Sequence, residues 1–544
     1  MTKGNPRPRS GRLQGFRVTG IRASADSGPA PISRARRSRL ALGALVFGAG
    51  IGALATEITA SRLLAPYFGS STIVWANLIG IVLAALALGY WLGGRIADRR
   101  PHAPLLGFIV LAAAVFVAAI PFLARPFLDF TVEGLDEASA GAVIGSFLAV
   151  LLLCAPPVVL LGMVSPFAIR LAVASIETAG AVAGRLYALS TAGSLLGTFL
   201  PALVLIPAVG TQRTFLVVAA LLALSSSFLL GARYLVVAAG LAALVAVPPG
   251  AVKAQAGLLH EETSYHQYIQ VVERSDGRRA LYLNEGIAVH SVWRPDSVLT
   301  GGVWDTFLAL PPLLGRPLER VAILGNAAGT TARELGVFYP GTEVDGVELD
   351  PAVSRVGRRY FGLEDNPRLT VHDADARPFL RSTDRRYDLI VVDAYHQPYV
   401  PFYLATREFF RLVRERLAPG GIVALNVAAV PDDKRLVRAI GGTLAAEFPQ
   451  ALEWPVLRFN TLVLGLTDAL EPSELRGRLQ AGPAALAPLR ELLARQARPL
   501  QSTDRPWTDD RAPVEWLTDR MIISYAAEGG RLEEDYLPTR PDTP

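Results

Sequence analysis

Between residues 40 and 250 the chain carries seven long apolar stretches, at about 40–61, 72–94, 104–124, 140–169, 185–209, 213–231 and 234–250. Each approaches the roughly 20 residues that an α-helix needs to cross the hydrocarbon of a bilayer. Inside lipid the backbone has to satisfy its own hydrogen bonds, so such stretches read as helices. The zone holds only nine Lys/Arg and seven Asp/Glu. Gly and Ala recur, as in GALVFGAGIGALATE and LAALALGYWLGG, which suits close helix packing in lipid. Six stretches count as spans. The seventh, Tyr234 to Gly250, is short, ends in Pro248-Pro249, and is read as re-entrant or interfacial. A wholly soluble enzyme and a wholly disordered chain are both excluded.

The flanks differ from this zone. Residues 1–39 contain ten basic groups and one acid, Asp26. The stretch has no apolar periodicity and no small-residue cleavage site, so it is expected to be a disordered, basic cytoplasmic tail near anionic lipid. Its charge of +9 exceeds the net +5 of the 544-residue chain, so the remainder is net acidic. Nucleic-acid binding is therefore not expected. Residues 251–544 hold 74 charged groups in 294 residues, about the quarter that a soluble domain carries. The domain plan is a tail at 1–39, a membrane domain at 40–250, a small β unit at 251–318, an α/β domain at 319–525 and a second tail at 526–544.

Cationic loops face the cytoplasm. The tail, Arg95/Arg99/Arg100 after span two, and Arg170 and Arg185 are assigned inside; Asp129, Glu133, Asp136 and Glu137 after span three are assigned outside. Six spans put the C-terminal domain in the cytoplasm, and seven put it outside. The expectation is six, at the plasma membrane. Segment Gly89–Arg100 resembles the loop after the second helix of major-facilitator transporters, where an Asp–Arg pair ties helices together. Glu57, within the first span, is costly in lipid, and either serves a function or pairs with Arg62.

Past residue 251 the periodicity changes. Tyr268–Glu273 and Ala280–Asn284 read as strands around the Ser275-Asp276-Gly277 turn, a small β-hairpin unit. From Arg320 strands and helices alternate: Val321–Leu324, Glu343–Leu349, Leu369–His372, Tyr387–Asp393 and Ile422–Val427, then two strands near 452–466. This is a doubly wound, mostly parallel α/β sheet. Ligands in such sheets sit at the carboxyl ends of the strands. Polar residues fall there: Gly325 to Gly329 after strand one, Glu348 ending strand two, Asp373 and Asp375 after strand three, Asp393 after strand four. A carboxylate at Glu348 can accept both ribose hydroxyls. The constellation reads as an adenosyl-nucleoside site; the competing reading is acids that merely cap helices. No Walker loop is present. The single cysteine, Cys154, and six scattered histidines give no metal-ligand pattern.

Several segments resemble the spermidine synthase (polyamine aminopropyltransferase) family. They are Leu324–Leu335 (LGNAAGTTAREL), Val347–Pro351 (VELDP), Val371–Ala376 (VHDADA), Tyr387–Asp393 (YDLIVVD) and Leu417–Gly421 (LAPGG). Ser264–Ile269, Leu283–Gly286 and Thr508–Glu515 extend the likeness, and with the membrane half the chain resembles membrane-fused members. The resemblance implies a Rossmann-like, methyltransferase-type fold and transfer of the 3-aminopropyl group of decarboxylated S-adenosylmethionine to putrescine, giving spermidine and methylthioadenosine. It implies Asp393 as the catalytic acid–base group. Gln267, Gly325, Gly329, Glu348, Asp375, Ala376 and Pro401 would hold the donor, and Asp305, Tyr395 and His396 the acceptor. No permanent cofactor or metal is implied. The partners are a small amine, an adenosyl-sulfonium donor and the bilayer, with a homodimer as the candidate assembly.

The chain departs from the family at defined positions. Ala328 replaces an Asp that contacts the donor's amine, His396 replaces a second acid, and Val303-Trp304-Asp305 stands for Tyr-His-Glu. Two alternatives stay open: a methyltransferase using S-adenosylmethionine, and a polyamine transporter or sensor whose soluble domain binds nucleoside without turnover.

Overall fold

The structure is a computed structural model. It describes residues 34–68, 72–135, 141–247, 252–253, 255–284, 286, 288–395, 399–501 and 505–528. Residues 1–33 of the basic tail, residues 529–544 and His396 lie outside the described residues, and Arg34 to Arg39 open the first helix instead of ending a disordered tail.

Six helices among the described residues are long and apolar enough to cross a membrane: Arg39–Phe68, Val74–Arg99, Ala103–Ala124, Ile144–Ala172, Ile176–Val209 and Thr211–Leu230. They match the apolar stretches of the sequence. The fourth and fifth pass through π turns at Val150–Cys154 and Pro201–Leu205. Small residues let the first and fifth helices touch backbone to backbone. A Cβ on Gly193 would lie 2.2 Å from the Phe47 carbonyl oxygen, and one on Gly50 would lie 2.3 Å from that of Ser190. Asp98 accepts a hydrogen bond from Arg170 at 3.2 Å, tying span two to span four as the transporter-like loop suggested. Glu57 and Arg62 form no pair; Arg62 donates to the carbonyl of Tyr265.

That contact bears on which face of the membrane the soluble half occupies. Span one starts beside the basic tail and ends at Phe68. The soluble half docks at this far end, where the Tyr67 hydroxyl donates to the Val252 carbonyl at 2.6 Å and Lys253 Nζ donates to the Pro66 carbonyl at 3.1 Å. The seventh apolar stretch contributes the short helix Ala232–Leu244. Tyr234 stacks edge-on against Phe108, near the start of span three and so at the Asp98–Arg170 end. Val252 is at the opposite end. Among the described residues, the helix Ala232–Leu244 thus starts at one end of the bundle and Val252 lies at the other.

The soluble half opens with strands β1 (Leu258–Thr263), β2 (Tyr268–Glu273), β3 (Arg279–Leu283) and β4 (Val289–Trp293). They form an antiparallel sheet in the order β1-β2-β3-β4. The expected hairpin is its centre. A second sheet holds β5 (Arg320–Leu324), β6 (Glu343–Glu348), β7 (Leu369–Asp373), β8 (Tyr387–Val392), β9 (Leu417–Ala428), β10 (Gln450–Pro455), β11 (Asn460–Leu466) and β12 (Arg498–Pro499). Its order is β12-β10-β11-β9-β8-β5-β6-β7. The five strands from β9 to β7 are parallel, and β11, β10 and β12 join antiparallel. β8 is buried along its whole length, as a central parallel strand covered on both faces must be. The strand order reverses between β5 and β8, and this switch point is where an α/β sheet leaves a crevice.

Substituting Gly193→Val is expected to force the first and fifth helices apart, at about 1–3 kcal/mol for overpacking. The check is thermal unfolding of the purified chain in detergent. An unchanged midpoint would mean that the two backbones are not in contact there.

Candidate active site

Gly325 leaves β5 with φ +90°, a conformation that disfavours any side chain. A Cβ there would sit 2.5 Å from the Asp393 carbonyl oxygen. The Asp393 N–H donates to the Leu324 carbonyl at 2.8 Å. The two strand ends are therefore joined backbone to backbone, with Asp393 beside the glycine loop. Gly329 ends that loop at φ +91° and precedes the helix Thr330–Phe338.

Glu348 ends β6 and is buried. Its Oε2 accepts the N–H of Ala327 at 2.9 Å, and its Oε1 accepts that of Asp350 at 3.0 Å. Burial pushes its carboxyl up to about 7, held back by these backbone donors. Two neighbours are helix caps, as the competing reading of the acids anticipated. Asp350 Oδ1 accepts the Ala352 N–H at 2.9 Å, and Asp375 Oδ1 accepts that of Arg377 at 2.9 Å. Asp375 has a second partner, the Tyr403 hydroxyl at 2.9 Å. Tyr403 lies in the turn that begins at Pro401, so Asp375, the buried Ala376 and Pro401 share one side of the site. Arg377 in turn grips Asp509 with two bonds of 2.8 and 2.7 Å. Gln267 is buried in the turn after β1, and Ser264 of that turn donates to Asp350.

Asp393 caps no helix. Asn426, on β9, donates to its Oδ1 at 2.9 Å. Burial pushes its carboxyl up to about 6, and hydrogen bonds from Asn426 and the Trp304 indole pull it back. Asn460 donates to the Asn426 side-chain oxygen at 3.1 Å and fixes that amide. Asn426 and Asn460 were missed in the sequence. Both sit inside strands, and only the pairing of β9 with β11 brings them behind β8. Trp304, in the segment that stands for Tyr-His-Glu, acts on Asp393 through its indole.

Two acceptor candidates are already engaged. The Asp305 carboxylate accepts from Thr300 N–H at 3.0 Å, Thr300 Oγ1 at 2.7 Å and Gly301 N–H at 2.9 Å. It is buried beside Glu334, whose pKa burial holds well above the usual carboxylate range, with the charge of Asp305 adding to this. Asp305 therefore braces its own turn rather than offering an open carboxylate. The Tyr395 hydroxyl donates to the Asn426 carbonyl at 2.9 Å, and burial, then the charge of Asp393, raises its pKa.

Residues 307–452 match the spermine/spermidine synthase domain family. A probable polyamine aminopropyl transferase of Bifidobacterium longum is 36% identical over 196 residues, covering 36% of this chain and 43% of that protein. A polyamine aminopropyltransferase of Vibrio vulnificus is 31% identical over 179 residues, covering 32% of this chain and 60% of that protein. The chain thus spans about two to three fifths of the length of these relatives. A probable spermidine synthase structure from Corynebacterium glutamicum has a TM-score of 0.36 at 19% identity, covering 54% of this chain and all of that one. Spermidine synthase from Thermotoga maritima scores 0.33 at 19% identity, covering 40% and 77%. The likeness to the spermine/spermidine synthase domain is thus carried by residues 307–452 of the soluble half.

Replacing Asp305 by Ala strands buried donors of Thr300 and Gly301, at about 1–3 kcal/mol each. Asp305→Ala should lower the melting temperature with or without an amine present. If stability holds and only the affinity for an amine falls, Asp305 is an acceptor contact after all.

Proposed function

We propose that the soluble half transfers the 3-aminopropyl group of decarboxylated S-adenosylmethionine to putrescine or a related amine. The observation that carries this reading is the Asp393 carboxylate, half-buried, bound by Asn426 and raised to about 6. In the reaction the amine nitrogen attacks the methylene carbon on the sulfonium. The carbon–sulfur bond breaks with its electron pair going to sulfur, and methylthioadenosine leaves as a neutral thioether. The nitrogen, now an ammonium, gives a proton to Asp393. With an electrophilic carbon and a neutral leaving group, alignment and proton removal are the main tasks of the protein. Glu348 and Asp375 would face the nucleoside, Gln267 the donor, and Pro401 the thioether side.

One observation favours a second reading. Ala328 stands where the family places an Asp for the donor's amine. Its N–H donates to Ser291 Oγ at 3.0 Å, and its methyl packs in an apolar cluster with Ile269 and Val353. A methyltransferase using ordinary S-adenosylmethionine needs no carboxylate at that point. Calorimetric titration with both donors separates the readings, since aminopropyl transfer requires preference for the decarboxylated one.

Turnover is expected to fall as pH drops through about 6, because a protonated Asp393 accepts nothing. Asn426→Leu removes a bond to the charged form, so its acid limb should move to higher pH. Asp393→Asn should cost about 10²–10⁴-fold, the range for general acid–base catalysis. Mass spectrometry of products from both donors and a panel of amines is the check. Full product formation by Asp393→Asn would end this assignment.

On the charge bias, the tail, Arg95, Arg99, Arg100 and Arg170 belong on the cytoplasmic side. The soluble half, docked at the other end of the bundle, then faces away from the cytoplasm, and the donor has to be delivered across the bilayer. A C-terminal alkaline phosphatase fusion should be active and a green fluorescent protein fusion dark. The reverse pattern would mean that the cationic loops face outward.

A further inference from the structure

The turn that presents Gln267 is held from two sides. From the soluble half, Ser264 Oγ accepts the N–H groups of His266 at 3.1 Å and Gln267 at 3.0 Å, and donates to Asp350. Asp350 lies two residues past Glu348 and binds it through its own N–H. From the membrane half, the Arg62 guanidinium donates to the carbonyl of Tyr265, and the charge of Asp350 acts on it. The Tyr265 ring reaches the other way, its hydroxyl donating to the carbonyl of Leu203 in the π turn of span five. The Tyr67–Val252 and Lys253–Pro66 bonds fasten the same end of the bundle to the chain just before β1.

An arginine in a membrane span is costly and is kept where it has a defined partner. Arg62 does not pair with Glu57 one and a half turns away on its own helix. Its hydrogen-bond partner is a carbonyl two residues before Gln267, and the charge of Asp350, two residues after Glu348, acts on it. A hydrogen bond from a charged donor is among the stronger ones a protein makes.

We infer that the membrane half forms one jaw of the donor site, with Arg62 as a positioning residue that sets the Ser264–Gln267 turn against Asp350. The inference rests on the reading of Gln267 as a donor contact. It makes the bundle more than an anchor: displacing span one relative to the soluble half would loosen donor binding and leave Asp393 and its partners in place.

The test uses the full chain in detergent or nanodiscs. Arg62→Ala should raise the KM for decarboxylated S-adenosylmethionine about tenfold, the scale of a lost hydrogen bond to a charged group. Its kcat and amine KM should stay within about twofold of the parent, since the proposed catalytic groups are untouched. Arg62→Lys should recover part of the loss, because an ammonium still donates to one carbonyl. Hydrogen exchange gives a readout without turnover: the amides of His266 and Gln267 should exchange faster in Arg62→Ala. A folded Arg62→Ala protein with unchanged exchange and unchanged donor KM overturns the inference. If the parent chain turns over neither donor, the proposed reaction fails, and the exchange rates still decide whether Arg62 holds the turn.

Discussion

Where β5 and β8 end, the backbone at Gly325 runs so close to Asp393 that a Cβ would sit 2.5 Å from its carbonyl oxygen. Much of the soluble half follows from that approach. It requires a residue that tolerates φ +90° at position 325. It sets the glycine loop over Glu348, whose two oxygens bind N–H groups on either side of the crevice. It also places Asp393 at the strand-order reversal, the position at which an α/β sheet leaves a crevice.

The carboxylates around this junction are separated by environment. Glu348, Asp350 and Asp375 each receive backbone N–H bonds, and burial still raises Glu348 to about 7. Asp393 receives a side-chain amide and an indole instead and is raised to about 6. Asp393 thus differs from its neighbours in its partners: they hold backbone in position, while its carboxylate is bound by a side chain. The two side chains around Asp393 come from opposite ends of the domain, Trp304 before β5 and Asn426 on β9, so its chemistry depends on the packed sheet.

The membrane half is built on a different balance. Its helices close through small residues, with backbone at Gly50 and Gly193 meeting neighbouring carbonyls, because van der Waals packing replaces the hydrophobic effect between helices in lipid. Cations gather at the end that holds Asp98–Arg170, and the soluble half sits on the other. Arg62 stands out as a span cation directed at the soluble half, and it links the two halves at the turn carrying Gln267.

Apolar length alone determined the six long helices, since a bilayer demands segments of that size. The alternation of strands and helices determined the parallel sheet, and polar residues at strand ends marked Glu348 and Asp393, because the hydrophobic pattern stops where a strand leaves the core. The outer strands β1 and β4 were not legible; they are short, and β1 is polar in sequence. Tertiary structure alone decided that Asp305 spends its oxygens on its own turn, and that Asn426 and Trp304 belong to Asp393. It alone decided on which end of the bundle the soluble half docks. Each of these depends on residues far apart in the chain meeting in space, and a sequence pattern records local periodicity, not which distant partner a hydrogen bond will find.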